Sequence, residues 1–390
     1  MSNVPNIRFK GFTDAWEQRE LGDVVKITMG QSPNSINYTN NPDDYILVQG
    51  NADMKNGFVH PRVWTTQITK TAEIGDIILS VRAPVGDVAK TDYDIVLGRG
   101  VAGIKGNQFI FQLLKKYKED GYWKKISTGS TFESINSNII KEAKLLLPSA
   151  KEQNYLGDFF NEMDQTITLL QRELNSFYKV KKGILQNLYT INDNYIPLIR
   201  FKSYEKKWEN SEIGKLVRIK SGNSPSLFKL TKNGYPFIKV DDLNNSIKNQ
   251  NYSKLYVEPN NSMHLINKDS IIFPKRGAAI LTNKTRYLMM PSYMDTNMMA
   301  LEPLYINSEF LYYFIHRTGL YKIADTSTIP QINNKHIEPY KIFIPETKEQ
   351  EQIGNLLKKV DEDILKVEMT LEKYKDMKKG FLQKLFPKGE

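Results

Sequence analysis

The sequence predicts an α+β protein: two pseudo-symmetric globular domains joined by two long antiparallel helices that form a coiled-coil spacer. Three observations carry that prediction. The ends of one half of the chain recur in the other half. Each half closes on a heptad-patterned segment. The stretches between the repeated ends break into short β-type runs bounded by turn residues. At roughly 100–200 residues per domain, 390 residues allow two or three domains.

An internal repeat sets the architecture of the whole chain. Pro5-Asn6-Ile7-Arg8-Phe9-Lys10 matches Pro197-Leu198-Ile199-Arg200-Phe201-Lys202. The match continues through Trp16-Glu17 with Trp208-Glu209, and through Gly30, Ser32 and Pro33 with Gly222, Ser224 and Pro225. From Pro5 to Pro33, 14 of 29 positions are identical without a gap, far beyond coincidence. A second block pairs Pro148–Tyr189 with Pro345–Phe386, sharing Lys-Glu-Gln (151–153 and 348–350) and Lys-Lys-Gly-x-Leu-Gln-x-Leu (181–188 and 378–385). Between the blocks similarity thins. A duplicated scaffold therefore carries two diverged inserts, which suggests two different targets read by one architecture.

Within the inserts, Val24–Ile27, Ile46–Val48, Ile77–Val81, Phe237–Val240 and Ser270–Phe273 read as strands. Gln108–Tyr117 and Glu309–Thr318 read as helices. Each insert fits a compact α+β domain. Ser149 with Glu152 and Thr347 with Gln350 fit the S/T-x-x-E/Q capping box. Behind them run two seams with alternating steps of four and three: Leu156, Phe160, Met163, Ile167, Leu170, Leu174 and Phe177, and Ile353, Leu357, Val360, Ile364, Val367, Leu371 and Tyr374. Lys181 and Lys378 fill equivalent slots in these seams and are expected to soften them or to face a partner. An unbroken helix from Lys151 to Leu188 would span about 57 Å at ~1.5 Å per residue. Equal length and equal register argue that the two helices pack on each other, a pseudo-twofold setting them antiparallel with a globular domain at each end. The expected boundaries are 1–147 and 191–344 for the domains, and 148–190 and 345–390 for the helices.

Composition narrows the function. There is no cysteine, which excludes disulfides and thiolate metal or redox sites. No apolar run approaches the ~18 residues of a membrane span, and the start lacks the apolar core of a secretory signal, so a cytoplasmic protein is expected. The net charge of +10 suits a polyanionic partner. It is uneven: residues 1–147 carry 18 basic and 16 acidic side chains, residues 191–344 carry 21 and 13, and the helical blocks are neutral.

Enzyme signatures are absent. Gly98-Arg99-Gly100-Val101-Ala102-Gly103 matches GxGxxG, but a dinucleotide fold needs a helix to open there and Val101–Ile104 reads as a strand. There is no Asn/Asp-Pro-Pro-Tyr and no P-loop; Asn41-Pro42-Asp43-Asp44-Tyr45 reads as a turn. The four histidines show no paired ligand spacing, so no metal site is expected. The chain reads as non-catalytic in isolation.

The doubled Pro-x-x-Arg-Phe…Trp-Glu opening, Pro-x-x-x-Glu-Gln and Lys-Lys-Gly-x-Leu-Gln-x-Leu resemble the specificity subunit of type I restriction-modification systems over essentially the whole chain. The resemblance implies two target recognition domains, each reading one half of a bipartite site in double-stranded DNA. It implies helices that set the gap and dock two modification subunits, which methylate adenine N6, with restriction subunits joining for cleavage. It places S-adenosylmethionine, ATP and Mg chemistry in those partners, with no cofactor in this chain. The other reading left open is a structural coiled-coil protein whose end domains bind protein.

Base edges are read by Arg or Lys at guanine, Asn or Gln at adenine, and Asp or Glu at cytosine, held on positioned loops. Candidates that follow strand runs are Gln49, Asn51, Arg82 and Arg99 in the first domain, and Lys239, Asp241, Lys275 and Arg276 in the second. Thr128, Ser130 and Gln331, just before the closing blocks, are candidate phosphate contacts. Arg8 and Arg200 belong to the shared frame and cannot distinguish two half-sites; a structural ion pair or a common phosphate contact is expected of them.

Overall fold

In the computed structural model the repeated ends become two matching clasps. Glu17–Glu20 pairs antiparallel with Lys144–Leu147, and Glu209–Glu212 pairs antiparallel with Lys341–Ile344. Each clasp joins the start of an insert to its end. The structure describes residues 3–127, 133–190 and 195–387.

The chain divides into two compact units, Met1–Arg172 with Glu368–Glu390, and Glu173–Val367. The first holds two sheets. One has six strands in the order Lys26–Met29, Val101–Lys105, Ile77–Ser80, Val88–Lys90, Phe58–Val59 and Met54–Lys55. The other has five, with Tyr45–Val48 parallel to Ile95–Leu97 near its centre. The second unit repeats the plan. Val217–Ser221, Met298–Pro303, Ile271–Pro274, Arg286–Leu288 and Asn249–Gln250 form its larger sheet. Its smaller sheet places Leu230–Ile238 parallel to Tyr293–Met294. The central strand Ile77–Ser80 is buried at every position, as expected for a continuous apolar run covered on both faces.

One domain helix, Gln108–Glu119 or Ser308–Thr318, packs beside each larger sheet. Asn107 and Asn307 cap these helices, accepting from the backbone N–H of Ile110 and Phe310 at 2.9 and 3.0 Å. Two expected strands differ. Leu21–Val24 is a single helical turn and the strand begins at Lys26, because the Leu21 N–H is already committed to Ala143 O, which starts a turn. Val240 opens a 3-10 turn rather than continuing its strand.

The long helices run Ala150–Asn187 and Thr347–Leu385. Within each unit they lie antiparallel. In the first, Leu156, Phe160 and Met163 join Leu382, Leu385 and Phe386 in one core; in the second, Leu188 joins Ile353 and Leu357. All fourteen seam residues from Leu156 to Phe177 and from Ile353 to Tyr374 are buried or half-buried. The helices also complete the domain cores, through mirrored aromatic triads. Trp16, Phe109 and Phe386 have ring centroids 5.4–5.9 Å apart. Trp208 and Tyr189, which repeat Trp16 and Phe386, meet Phe310 of the domain helix to make the second triad. Such pairs add about 0.5–1.5 kcal/mol each beyond their burial.

The capping boxes form only in part: Ser149 Oγ accepts from Glu152 N at 3.4 Å, but the glutamate side chain does not return to the cap. Glu152 is buried and takes a two-pronged ion pair from Arg8, at 2.7 and 2.7 Å. Glu349 does the same with Arg200, at 2.8 and 2.8 Å. Gln350 accepts from Asn307 N and donates to Pro345 O. A guanidinium fork outcompetes one backbone N–H for a buried carboxylate, because it brings two donors and the opposite charge. The shared arginines are therefore structural pins. Lys181 and Lys378 find ion-pair partners on the facing helix, Asp361 and Asp164, at 2.6 and 2.5 Å.

Candidate nucleic-acid interface

Beyond the parallel strand pair of each unit the chain makes a tight crossing, and most of the candidate readers meet there. In the first unit the strands end at Val48 and Leu97, and Gly98 N donates to Val48 O at 2.7 Å. Gln49 lies immediately past one strand and Arg99 past the other. The backbones touch at the glycines: a Cβ on Gly100 would sit 2.0 Å from Gln49 O, and one on Gly30 would sit 2.0 Å from Gly98 O. Gly98 and Gly100, the first two glycines of the GxGxxG match, thus serve a close backbone crossing, while Gly103 faces the Leu97 and Ala72 side chains and Val101–Lys105 continues as a strand. Val81 N donates to Gly100 O at 2.9 Å, which brings the neighbouring Arg82 to the same place.

Arg82 and Arg99 are exposed, and their guanidinium groups have no hydrogen-bond or ion-pair partner among the described residues. Their backbones are fixed all the same: Arg99 N donates to Ser32 Oγ at 3.0 Å, and Arg82 bridges Ser134. Asn51 lies in the 3-10 turn Asn51–Asp53 beside Gln49. That turn is held by buried Asp53, which accepts from Gln49 N at 2.8 Å, and by Arg62, whose Nη1 donates to Ala52 O.

The second unit builds an equivalent place with other side chains. Ile238 and Met294 pair in parallel, and Asp295 N donates to Ile238 O at 2.9 Å. A Cβ on Gly222, the repeat of Gly30, would lie 2.0 Å from Asp295 O. Lys239 and Asp241 follow the strand into the turn Val240–Asn245. The acidic pair splits. Asp241 is exposed, whereas Asp242 is buried, accepting from Lys239 N, Ser253 Oγ and Lys254 N at 2.8–3.1 Å. Beneath the turn, buried Arg286 donates from Nη2 to Leu243 O at 2.6 Å.

Lys275 and Arg276 follow Ile271–Pro274 as Arg82 follows Ile77–Ser80. The Lys275 ammonium donates to Ser221 Oγ at 3.0 Å, and burial pulls its pKa below the usual lysine range. Arg276 is exposed and bridges Gln331, while Ile332 N returns to Lys275 O. Lys239, Asp241, Lys275, Arg276 and Gln331 thus surround one crossing. Thr128 and Ser130 lie outside the described residues.

Sequence reasoning missed the supports: Asp53, Asp242 and Arg286, and the crossing glycines Gly30 and Gly222. The glycines stood in the repeat with Ser32 and Ser224, and that was their signal. No group of three or more potential metal ligands occurs among the described residues, and no helix is long and apolar enough to cross a membrane.

Comparison with known proteins agrees with this doubled plan. The family described as type I restriction modification DNA specificity domain matches twice, at residues 13–177 and 205–372. A protein of Methanocaldococcus jannaschii named as the MjaX specificity subunit of a type I restriction enzyme is 33% identical over 183 residues, 45% of this chain and 43% of the relative, so the alignment spans less than half of that protein. The type I restriction enzyme MjaIX specificity subunit of the same organism is 22% identical across 95% of this chain and 92% of its own length. The crystal structure of the type I restriction-modification S subunit from M. genitalium superposes with a TM-score of 0.67, covering 99% of this chain and 100% of that one at 17% identity. With two family matches across most of its length and the same fold from end to end, this chain belongs to the type I restriction-modification specificity subunits.

Proposed function

We propose that each domain reads one half of a bipartite site in double-stranded DNA, using the side chains gathered at its strand crossing. The observation that carries this is the pairing of a shared frame with unshared side chains: Gln49, Asn51, Arg82 and Arg99 at one crossing, and Lys239, Asp241, Lys275, Arg276 and Gln331 at the other. Free exposed guanidinium groups on backbone-fixed loops suit bidentate recognition of guanine. Asp241 suits a cytosine amino group, and Gln49 or Asn51 an adenine edge. Thr128, Ser130 and Gln331 contact phosphates and set the register without reading sequence.

The helices fix the gap between half-sites and dock two modification subunits, with restriction subunits added for cleavage. Adenine N6 methylation, and with it S-adenosylmethionine, ATP and Mg, resides in those partners; this chain supplies specificity in the cytoplasm and no reacting group.

The test is a genome-wide map of N6-methyladenine in cells carrying this chain with its own modification subunit, against a matched strain lacking only this chain. A bipartite motif that vanishes without the chain is expected. An unchanged map, with the complex shown to be assembled, would favour a protein-binding scaffold instead.

A further inference from the structure

The repeated aspartates and lysines of the long helices cross-pair. Asp164 and Asp361 occupy equivalent positions, as do Lys181 and Lys378. Lys378 reaches Asp164 at 2.5 Å within the first unit, and Lys181 reaches Asp361 at 2.6 Å within the second. Each aspartate also receives a second grip from its own domain helix. In the first unit Lys115 Nζ and Gln112 Nε2 lie 3.2 and 2.8 Å from Asp164. In the second the Tyr313 hydroxyl donates to Asp361 at 2.6 Å, and Lys248 Nζ donates to that hydroxyl and to Glu309. Lys248 belongs to the segment that follows the reading turn Val240–Asn245. The grips differ in chemistry, yet both converge on the repeated carboxylate. Three elements meet there: one long helix, the other, and the domain helix.

We propose that Asp164 and Asp361 are positioning residues that fix how each reading domain is held on the helix pair, and so set how sharply the complex discriminates the gap between half-sites. Apolar contact alone permits a domain to roll on a helix, because such contact is not directional. A half-buried carboxylate shared by two directional donors removes that freedom, and charge-assisted bonds do so most strongly. The pairing is also self-checking. In a parallel alignment the lysines would face each other, and a sliding register would leave the buried Lys378 without its partner. This role rests on the DNA-reading function proposed above.

The test uses the full chain assembled with its modification subunits. The substrate is a library of duplexes with both half-sites held constant and the gap varied one base pair at a time, read as methylation at each gap. Tyr313→Phe removes the domain's bond to Asp361 and leaves Lys181 in place. It is expected to cut the preference for the best gap over its neighbours by roughly tenfold, the effect of a lost charge-assisted bond, with assembly unchanged. The charge exchange Asp164→Lys with Lys378→Asp restores the helix pair but sets Lys115 against the new lysine. It is expected to keep the broadened gap profile, and adding Lys115→Glu is expected to sharpen it again. A gap profile as sharp as the parent's in Tyr313→Phe, or full restoration by the two-residue exchange alone, would overturn the proposal. A parent complex that methylates both half-sites with no gap preference would remove the gap function itself and this role with it.

Discussion

The side chains free to act at the two crossings are few, and their freedom is chemical. Arg82, Arg99 and Arg276 extend from strand ends whose backbones are fixed by bridges and short hydrogen bonds, so replacing one removes a contact without disturbing a core. Arg82→Ala or Arg99→Ala is expected to cost about 1–3 kcal/mol of discrimination at one base of the first half-site, with folding stability unchanged to within ~0.5 kcal/mol. Arg276→Ala does the same in the second half-site. Binding to single-base variants of the site, alongside denaturant unfolding, separates the two effects. His316 offers a pH signature. It stacks offset against Tyr312, its Nδ1 enclosed without a partner among the described residues, and burial first, then nearby Lys181, lower its pKa to about 4 despite Asp361. The unfolded chain takes up that proton near pH 6.5 and the folded one only near 4, so stability falls as pH drops through that window. His316→Gln is expected to flatten that part of a stability profile measured against pH. At this scale the sequence was half legible. Exposed cations after strands were visible, because exposure leaves residue type as the main constraint. The buried carboxylates were not, because Asp241 and Asp242 are adjacent and identical, and only the local turn decides which one faces inward.

Among the elements, the pins between each opening segment and each long helix carry more energy than their surface position suggests. Arg8 is 12% exposed and its partner Glu152 only 1%. Arg8→Ala would strand a buried carboxylate, at about 3–5 kcal/mol; Arg200→Ala would do the same to Glu349. Urea unfolding checks both, and replacing Arg8 with Met and Glu152 with Leu together should cost much less. Matched insertions of one helical turn, one between the Asp and Lys of each long helix, would preserve both ion pairs and displace the readers by ~5.4 Å. The preferred gap should move, and a gap series reads it. The helices were the most legible part of the sequence, since a heptad pattern repeated at equal length and register suits a pair of packed helices and little else. In the first of them only the glutamate half of the cap was misread, because Ser-x-x-Glu fits a cap equally well whether or not an arginine from 144 residues away claims the glutamate.

For the whole molecule, duplication explains the plan and divergence explains its use. The basic excess lies in the second insert, +8 against +2 over the first. Duplexes carrying only the second half-site are therefore expected to lose affinity more steeply with salt than those carrying only the first, since the slope follows the number of phosphates neutralised. Titrations at several salt concentrations measure both slopes. The two-domain plan was legible because duplicated ends reveal themselves by identity. The partition of the cores was not, because it depends on which helix end meets which domain. That partition has a consequence for synthesis. Residues 173–367 contain the whole second unit, whereas the first waits for Leu382, Leu385 and Phe386 to cover Trp16, Phe109 and Phe160. On the ribosome the unit begun first is finished last. A nonsense change after residue 367 would therefore injure the half of the protein encoded furthest from it, leaving the amino-terminal core open to proteases while the later-made unit stays closed.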